Sequence, residues 1–380
     1  MTPLGVYIHW PYCARICPYC DFNVVRDRGR RDEQAELGRA ILDDLRAHAA
    51  LTGPRRLVSI FFGGGTPSLM DPALAAQMVE TARALWTADD DLEVSLEANP
   101  TDAETVRFAA FADAGVNRLS LGLQSLDDAA LKMLGRNHDA AAGRRAAAAA
   151  RAAFPRLSID LIYARPGQTA AAWREELTRA IDMGAEHVSP YQLTIEPGTA
   201  FDRAVGRRTL VPPGPDLAAD LYDTAQIVLE EAGFHAYEVS NHARGEAARA
   251  RHNLVYWRGW DYVGVGPGAH GRLTRAGTRR ATVAASRPLD YVAAVREHGT
   301  GVVGDEALTP REAAEERLLM GLRIDEGVPF AELAALDLSP RSPRVAELRT
   351  LGLLEPDLVR LRASRAGRLL LDRVTAELCA

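Results

Sequence analysis

The chain has 380 residues, 47% of them hydrophobic and 25% charged, with a formal net charge of −6. That length exceeds one average domain, and the negative balance speaks against nucleic-acid binding over the whole surface. No apolar run reaches the roughly 20 residues of a membrane span, the start MTPLGVYIHW lacks a secretory signal's basic region and apolar core, and four cysteines are too few for a disulfide framework, so a cytoplasmic protein with reduced thiols is expected.

Short apolar runs alternate with longer amphipathic stretches over the first half of the chain. Strands are predicted at 5–10 (GVYIHW), 57–65 (LVSIFFGGG), 92–100 (LEVSLEANP), 117–125 (NRLSLGLQS), 156–167 (RLSIDLIYARPG) and 187–198 (HVSPYQLTIEPG). Helices are predicted between them at 32–51, 71–86 and 102–115, and over the alanine-rich 139–154. Runs of Val, Ile and Leu without strict alternation indicate parallel strands buried on both faces. Six such βα units predict an α/β fold, a partial parallel (βα)6 barrel. Polar and glycine-rich residues follow these strands (GGGTP, EANP, GLQS, DLIYARPG), at the barrel end where βα loops gather and ligands sit. Turn formation would explain any one of them; their recurrence points to a site.

Three domains are expected. Residues 1–212 form the barrel with its cysteine loop, and 213–307 extend it with an aromatic segment, RHNLVYWRGWDYVGVGPGAHG. Residues 308–380 form a small, mainly helical, winged-helix-like domain with a hairpin at 354–371. Its arginines read as a solvated face and not as a DNA contact.

Cys13, Cys17 and Cys20 crowd into C-x3-C-x2-C after the first strand. Three chemistries compete. Structural zinc needs four ligands, and His9 is the nearest candidate for the fourth. The CPYC pair could do thiol–disulfide work, although that motif normally opens a helix. A [4Fe-4S] cluster on three thiolates would leave one iron open to a further ligand.

With YIH before it and GGGTP after the second strand, the motif resembles the radical S-adenosylmethionine (SAM) family. YIHWPYCARICPYCDFN, IFFGGGTPSL, LEANP, RLSLGLQS, LGRNHDA and IDLIYARPGQT resemble, in order, oxygen-independent coproporphyrinogen III oxidase and its relatives. The likeness spans nearly the whole chain. It implies a radical SAM barrel with a cluster on Cys13, Cys17 and Cys20, whose open iron is chelated by S-adenosylmethionine. Reductive cleavage then gives methionine and a 5'-deoxyadenosyl radical. It further implies S-adenosylmethionine contacts at Tyr7, Tyr19, Gly64, Gly65, Thr66, Glu97, Gln124, Arg136 and Asp160. These residue types suit the task. Glycines let backbone N–H groups approach a carboxylate, and Glu97 could take the ammonium. Asp160 or Gln124 could bind ribose hydroxyls or adenine, and Arg136 could pair a carboxylate.

The oxidase pattern carries a further cysteine where this chain has Phe22, and an N-terminal extension that is expected to be missing because the first strand starts near Met1. RHNLVYW, with His252, Asn253, Tyr256 and Trp257, followed by GVGPGAHG with His270, resembles instead the haem (heme) chaperone branch. That implies haem binding, with His252 the candidate ligand and the aromatics covering the macrocycle. From residue types alone, a hydrogen-bonded structural histidine explains His252 as well. The expectation is a haem chaperone that passes haem to acceptor proteins, including membrane-associated respiratory ones. Any attachment to the inner membrane would be peripheral, and an electron donor to the cluster is needed. The alternative is the oxidase itself, radical decarboxylation of propionates to give protoporphyrinogen IX. A third reading is a zinc- or thiol-dependent binding protein.

Overall fold

A computed structural model describes all 380 residues, apart from the side chains of Asp102 and Ala103. Twelve strands share one sheet: β1 (Pro3–Trp10), β2 (Arg56–Gly64), β3 (Thr87–Ala98), β4 (Arg118–Gln124), β5 (Arg156–Tyr163), β6 (His187–Gln192), β7 (His235–Glu238), β8 (Asn241–Ala243), β9 (Asp261–Val265), β10 (His270–Arg275), β11 (Thr278–Ala284) and β12 (Val302–Ala307). Strands β1 to β6 lie side by side and parallel, which is the six-unit partial barrel expected. Beyond β6 the sheet continues antiparallel through β8 and β7. Beyond β1 it continues through β9, parallel to β1, and then through the antiparallel β10, β11 and β12.

Among the helices are α1 (Arg31–Thr52), α2 (Pro72–Leu85), α3 (Ala140–Ala153), α4 (Ala170–Ile181), α5 (Pro215–Glu231) and α6 (Arg251–Trp257). Leu37, Ile41 and Leu45 of α1 are fully buried in the core beneath the sheet's outer face, each stabilising by about 1.5–3 kcal/mol. Small residues face the sheet from α3: Ala146, Ala147 and Ala150 are buried, and a Cβ on Gly143 would stand 3.1 Å from Leu123.

The strands are buried on both faces, as expected, but they do alternate, and the inner face is polar. In β3, Leu92, Val94 and Leu96 point to the helices, whereas Glu93, Ser95 and Glu97 point inward. Arg118, Ser120, Ser158, Asp160, His187 and Ser189 continue that polar interior around β4, β5 and β6. The inward side is therefore a largely buried, hydrogen-bonded polar layer, with the apolar core outside it.

Glu93, fully buried, ties the base together. Its carboxylate accepts from Arg118 Nε at 2.9 Å, Arg156 Nη1 at 3.3 Å, Ser95 Oγ at 3.3 Å and the backbone N–H of His252 at 3.1 Å. The helix expected over 102–115 is split into Asp102–Thr105 and Phe108–Asp113. Between them Arg107 turns to donate to the carbonyls of Ser68 (2.7 Å) and Met70. The expected hairpin forms only over 354–363, through a Leu354–Ala363 bridge and pairing of Arg360–Leu361 with Val328–Pro329. From Ser364, which caps the helix Arg365–Leu369, the chain is helical, and the following helix Leu371–Cys379 completes an apolar cluster with Leu318, Val345 and Leu348.

Replacing Glu93 by Ala would strand Arg118, which is 2% exposed, without its carboxylate. The free energy of unfolding in urea should fall by about 3–5 kcal/mol, and an unchanged midpoint would contradict this role.

Candidate functional site

At the C-terminal ends of β1 to β6 opens a cavity of about 660 Å³. It is lined by Cys13, Cys17, Tyr19, Cys20, Gly64, Gly65, Thr66, Glu97, Gln124, Arg136 and Asp160. Residues scattered over some 150 positions thus converge on one chamber. Tyr7 faces the opposite side, in an adjoining cleft of about 390 Å³ that shares Phe22, Gly64 and Glu97 with the cavity. His252 lines neither.

The thiols sit on an ordered loop. Tyr12–Cys13 pairs with Val25–Arg26 in parallel, and Cys20 donates its N–H to the Cys17 carbonyl at 3.1 Å, so CPYC makes a turn and not a helix start. Burial pushes the Cys13 thiol up to about 11 and raises that of Cys20. Arg136 Nη1 stands 3.4 Å from the Cys17 sulfur, and Nη2 donates to the Gly122 carbonyl at 3.0 Å and to Asn99 Oδ1. Asn99 in turn donates to Thr66 Oγ1 at 3.1 Å.

His9 does not join the cysteines. It donates from Nε2 to the Asn23 carbonyl at 2.8 Å and therefore accepts at Nδ1 from the Tyr7 hydroxyl at 2.9 Å. Asn23 donates onward to the carbonyls of Pro267 (2.9 Å) and Ser286 (2.8 Å), fastening the loop's far end to a distant part of the chain. Among the described residues no three His, Cys, Asp or Glu converge as ligands of one ion would. Three thiols on one wall with no fourth protein ligand suit a cluster, whose metal atoms are spread apart, better than closed tetrahedral zinc.

The glycines after β2 are required sterically. Gly64 has φ +111, and a Cβ there would lie 2.6 Å from the His9 ring; on Gly65 it would lie 2.7 Å from the carbonyl oxygens of Pro11 and Tyr12. Their N–H groups, which the sequence reading offered to a ligand carboxylate, are engaged inside the chain. Gly64 donates to Glu97 Oε2 at 3.2 Å, Gly65 to the Trp10 carbonyl at 2.8 Å and Thr66 to that of Tyr12 at 2.9 Å.

Two carboxyls face the chamber. Burial, with Asp160 nearby, pushes Glu97 up to about 8. Burial also raises Asp160, which accepts from Ser120 Oγ at 2.6 Å and Ser158 Oγ at 3.3 Å. Gln124 follows a bulge after Gly122 and holds φ at 65, a strained region for a non-glycine residue. His252 is 1% exposed, bonded through Nδ1 to Ser59 Oγ at 2.9 Å and through Nε2 to Tyr256 at 2.7 Å, and stacked on Phe61 with centroids 4.8 Å apart.

Sequence reasoning missed Asn99, Ser120, Ser158, His187 and Ser189. The available signal was the inward register of Ser158, Asp160 and of His187, Ser189, two residues apart on their strands. His187 spans Ser158 Oγ (2.7 Å) and the Tyr237 hydroxyl (2.9 Å), so the chamber's floor is held by side chains from separate strands.

Residues 7–180 match the radical SAM superfamily, and residues 308–370 match the HemN C-terminal domain. The chain is 42% identical to "Radical S-adenosyl methionine domain-containing protein 1, mitochondrial" of Mus musculus, over 98% of this chain and 86% of that protein. It is 36% identical to a Mycobacterium tuberculosis protein named "Heme chaperone HemW", over 99% of this chain and 95% of that one. The solved coproporphyrinogen III oxidase (HemN) from Escherichia coli, at 22% identity, superposes with a TM-score of 0.81 over 100% of this chain and 90% of its own, a likeness of fold.

Because folding raises the Glu97 carboxyl from 4.5 to about 8, the folded chain holds a proton that the unfolded chain has lost between those values. Its contribution is complete at low pH and is lost as pH climbs through that window. Glu97→Gln should therefore be more stable than the unaltered chain at pH 8, with the gap closing at pH 5, as read from urea midpoints of the ligand-free protein. A gap independent of pH would contradict the assignment.

Proposed function

We propose that this chain, which belongs to the radical SAM superfamily, binds haem and passes it to acceptor proteins. The observation that carries this reading is likeness over nearly the whole chain to a protein named as a haem chaperone, supported by the HNLVYW segment packed against the cavity wall through Asn253. Phe22 in place of a further cysteine supports it against the oxidase alternative.

Cys13, Cys17 and Cys20 would hold a [4Fe-4S] cluster, and Tyr19, Gly64, Gly65, Thr66, Glu97, Gln124, Arg136 and Asp160 would surround S-adenosylmethionine. Tyr7 would act from behind, by holding His9. The cluster, when bound, supplies single electrons to a sulfonium ligand. The chain's residues supply the setting. A ligand ammonium beside Glu97 would draw its carboxyl back to the ionised form, and Asp160, oriented by Ser120 and Ser158, is poised to accept from hydroxyls. Arg136 offsets negative charge on the thiolates.

The acceptors would be membrane-associated haem proteins; among the described residues no helix is long and apolar enough to cross a membrane. The cluster loop carries Arg15, Arg26, Arg28 and Arg30 against Asp21 and Asp27, and although Arg30 pairs with Glu33 of α1, the excess of arginine would favour an acidic electron donor.

Anaerobic reconstitution with iron and sulfide should give a brown protein, and the triple Cys13/Cys17/Cys20→Ser variant should stay colourless. Haem titration should then yield a retained Soret band, while coproporphyrinogen III supplied with S-adenosylmethionine is left unchanged. Conversion of coproporphyrinogen without haem retention would replace the chaperone with the oxidase.

A further inference from the structure

We propose that the haem iron is ligated by His270, in the cleft beside the main cavity, and not by His252. The proposal rests on the haem-chaperone reading and assigns the residue that carries it out.

His252 is unsuited by its surroundings. Both ring nitrogens are bonded and the ring is sandwiched in the core, so reaching iron would break two hydrogen bonds and expel the side chain from β2's inner face. His270 differs on each point. It is exposed at the start of β10, and its ring has no partner among the described residues. Partial burial and the nearby Arg272 hold its imidazole below the ordinary value, which keeps it neutral with a free lone pair at pH 7. Neutral imidazole is the form that binds haem iron.

Its position is also fixed. β10 pairs with β11 from His270 opposite Val283 onward. The His270 carbonyl packs so tightly on β9 that a Cβ on Gly264 would lie 2.0 Å from its oxygen. A ligand on this rigid strand needs little ordering when iron arrives.

The walls combine aromatic rings with the polar His9, Asn23 and Glu97, and the Tyr7 and Tyr256 hydroxyls are turned to His9 and His252. Tyr7, Tyr256 and Tyr262 line the cleft, the latter two edge to face with centroids 4.6 Å apart. Phe22 stands at its rim, 66% exposed, a large aromatic held in water with nothing to cover it. Rings of this kind cover apolar area and present faces or edges to a π-system. The floor is Gly64 and Glu97, shared with the main cavity, so a haem here would abut the radical SAM chamber without filling it. With His270 and Phe22 both at the solvent side, one edge of the macrocycle stays within reach of an acceptor.

The test titrates haem into the full-length chain under anaerobic conditions, following the Soret band and the iron–histidine vibration by resonance Raman. His270→Ala, a surface change whose fold far-UV circular dichroism verifies, should weaken binding about tenfold or more and lose the iron–histidine signal, with added imidazole restoring it. His252→Gln, which keeps hydrogen-bonding capacity in the core, should retain the unaltered chain's spectrum. An unchanged affinity and spectrum in His270→Ala would overturn the proposal while leaving the chaperone reading intact. No haem retained by the unaltered chain would overturn both.

Discussion

A carboxylate sealed beneath the barrel, Glu93, is the constraint on which the remainder of the structure rests. Being fully buried, it must be matched, and it is matched by groups from three strands and one helix at once: Ser95 on its own β3, Arg118 on β4, Arg156 on β5 and the first turn of α6. A buried ion pair gives little net stability against an apolar replacement, but breaking one side of it is costly. Its effect here is geometric. It sets where α6 begins, and so where His252, Asn253 and Tyr256 sit relative to the strand ends that carry the site.

The same economy recurs at the mouth. His9 and Asn23 form a short relay from β1, through the end of the cysteine loop, to the carbonyls of Pro267 and Ser286. That relay lies against Gly64, where no Cβ fits. Three segments distant in sequence, the thiol loop, the glycine turn and the strand bearing His270, are thereby locked in one arrangement. Misplacing any of them would disturb both the cavity and the cleft.

Much of this was legible in the sequence. Alternating apolar runs and amphipathic stretches disclosed the six βα units, because local periodicity survives folding unchanged. The cysteine triplet and GGGTP were legible because their chemistry is confined to a few adjacent residues. The inward polarity was obscured because Ser and Gly interrupt the runs weakly, and because buried charges such as Glu93 and Arg118 find their partners on other strands. The fate of His252 was illegible for another reason. Its hydrogen-bond and stacking partners, Ser59 and Phe61, lie almost two hundred positions away. The segment 364–371 was misread as strand because Leu369, Leu370 and Leu371 suit either state; the Ser364 cap and contacts within the C-terminal cluster decided for helix.

Glu97 belongs to two compartments at once, the thiol-lined cavity and the aromatic cleft. A carboxyl placed in a dividing wall makes the contents of the two chambers thermodynamically aware of each other. A cation that ionises it from one side changes the potential felt on the other, and the exchange is reciprocal by the same factor in both directions. Charge brought into one chamber is thus felt in its neighbour through the one carboxyl that they share.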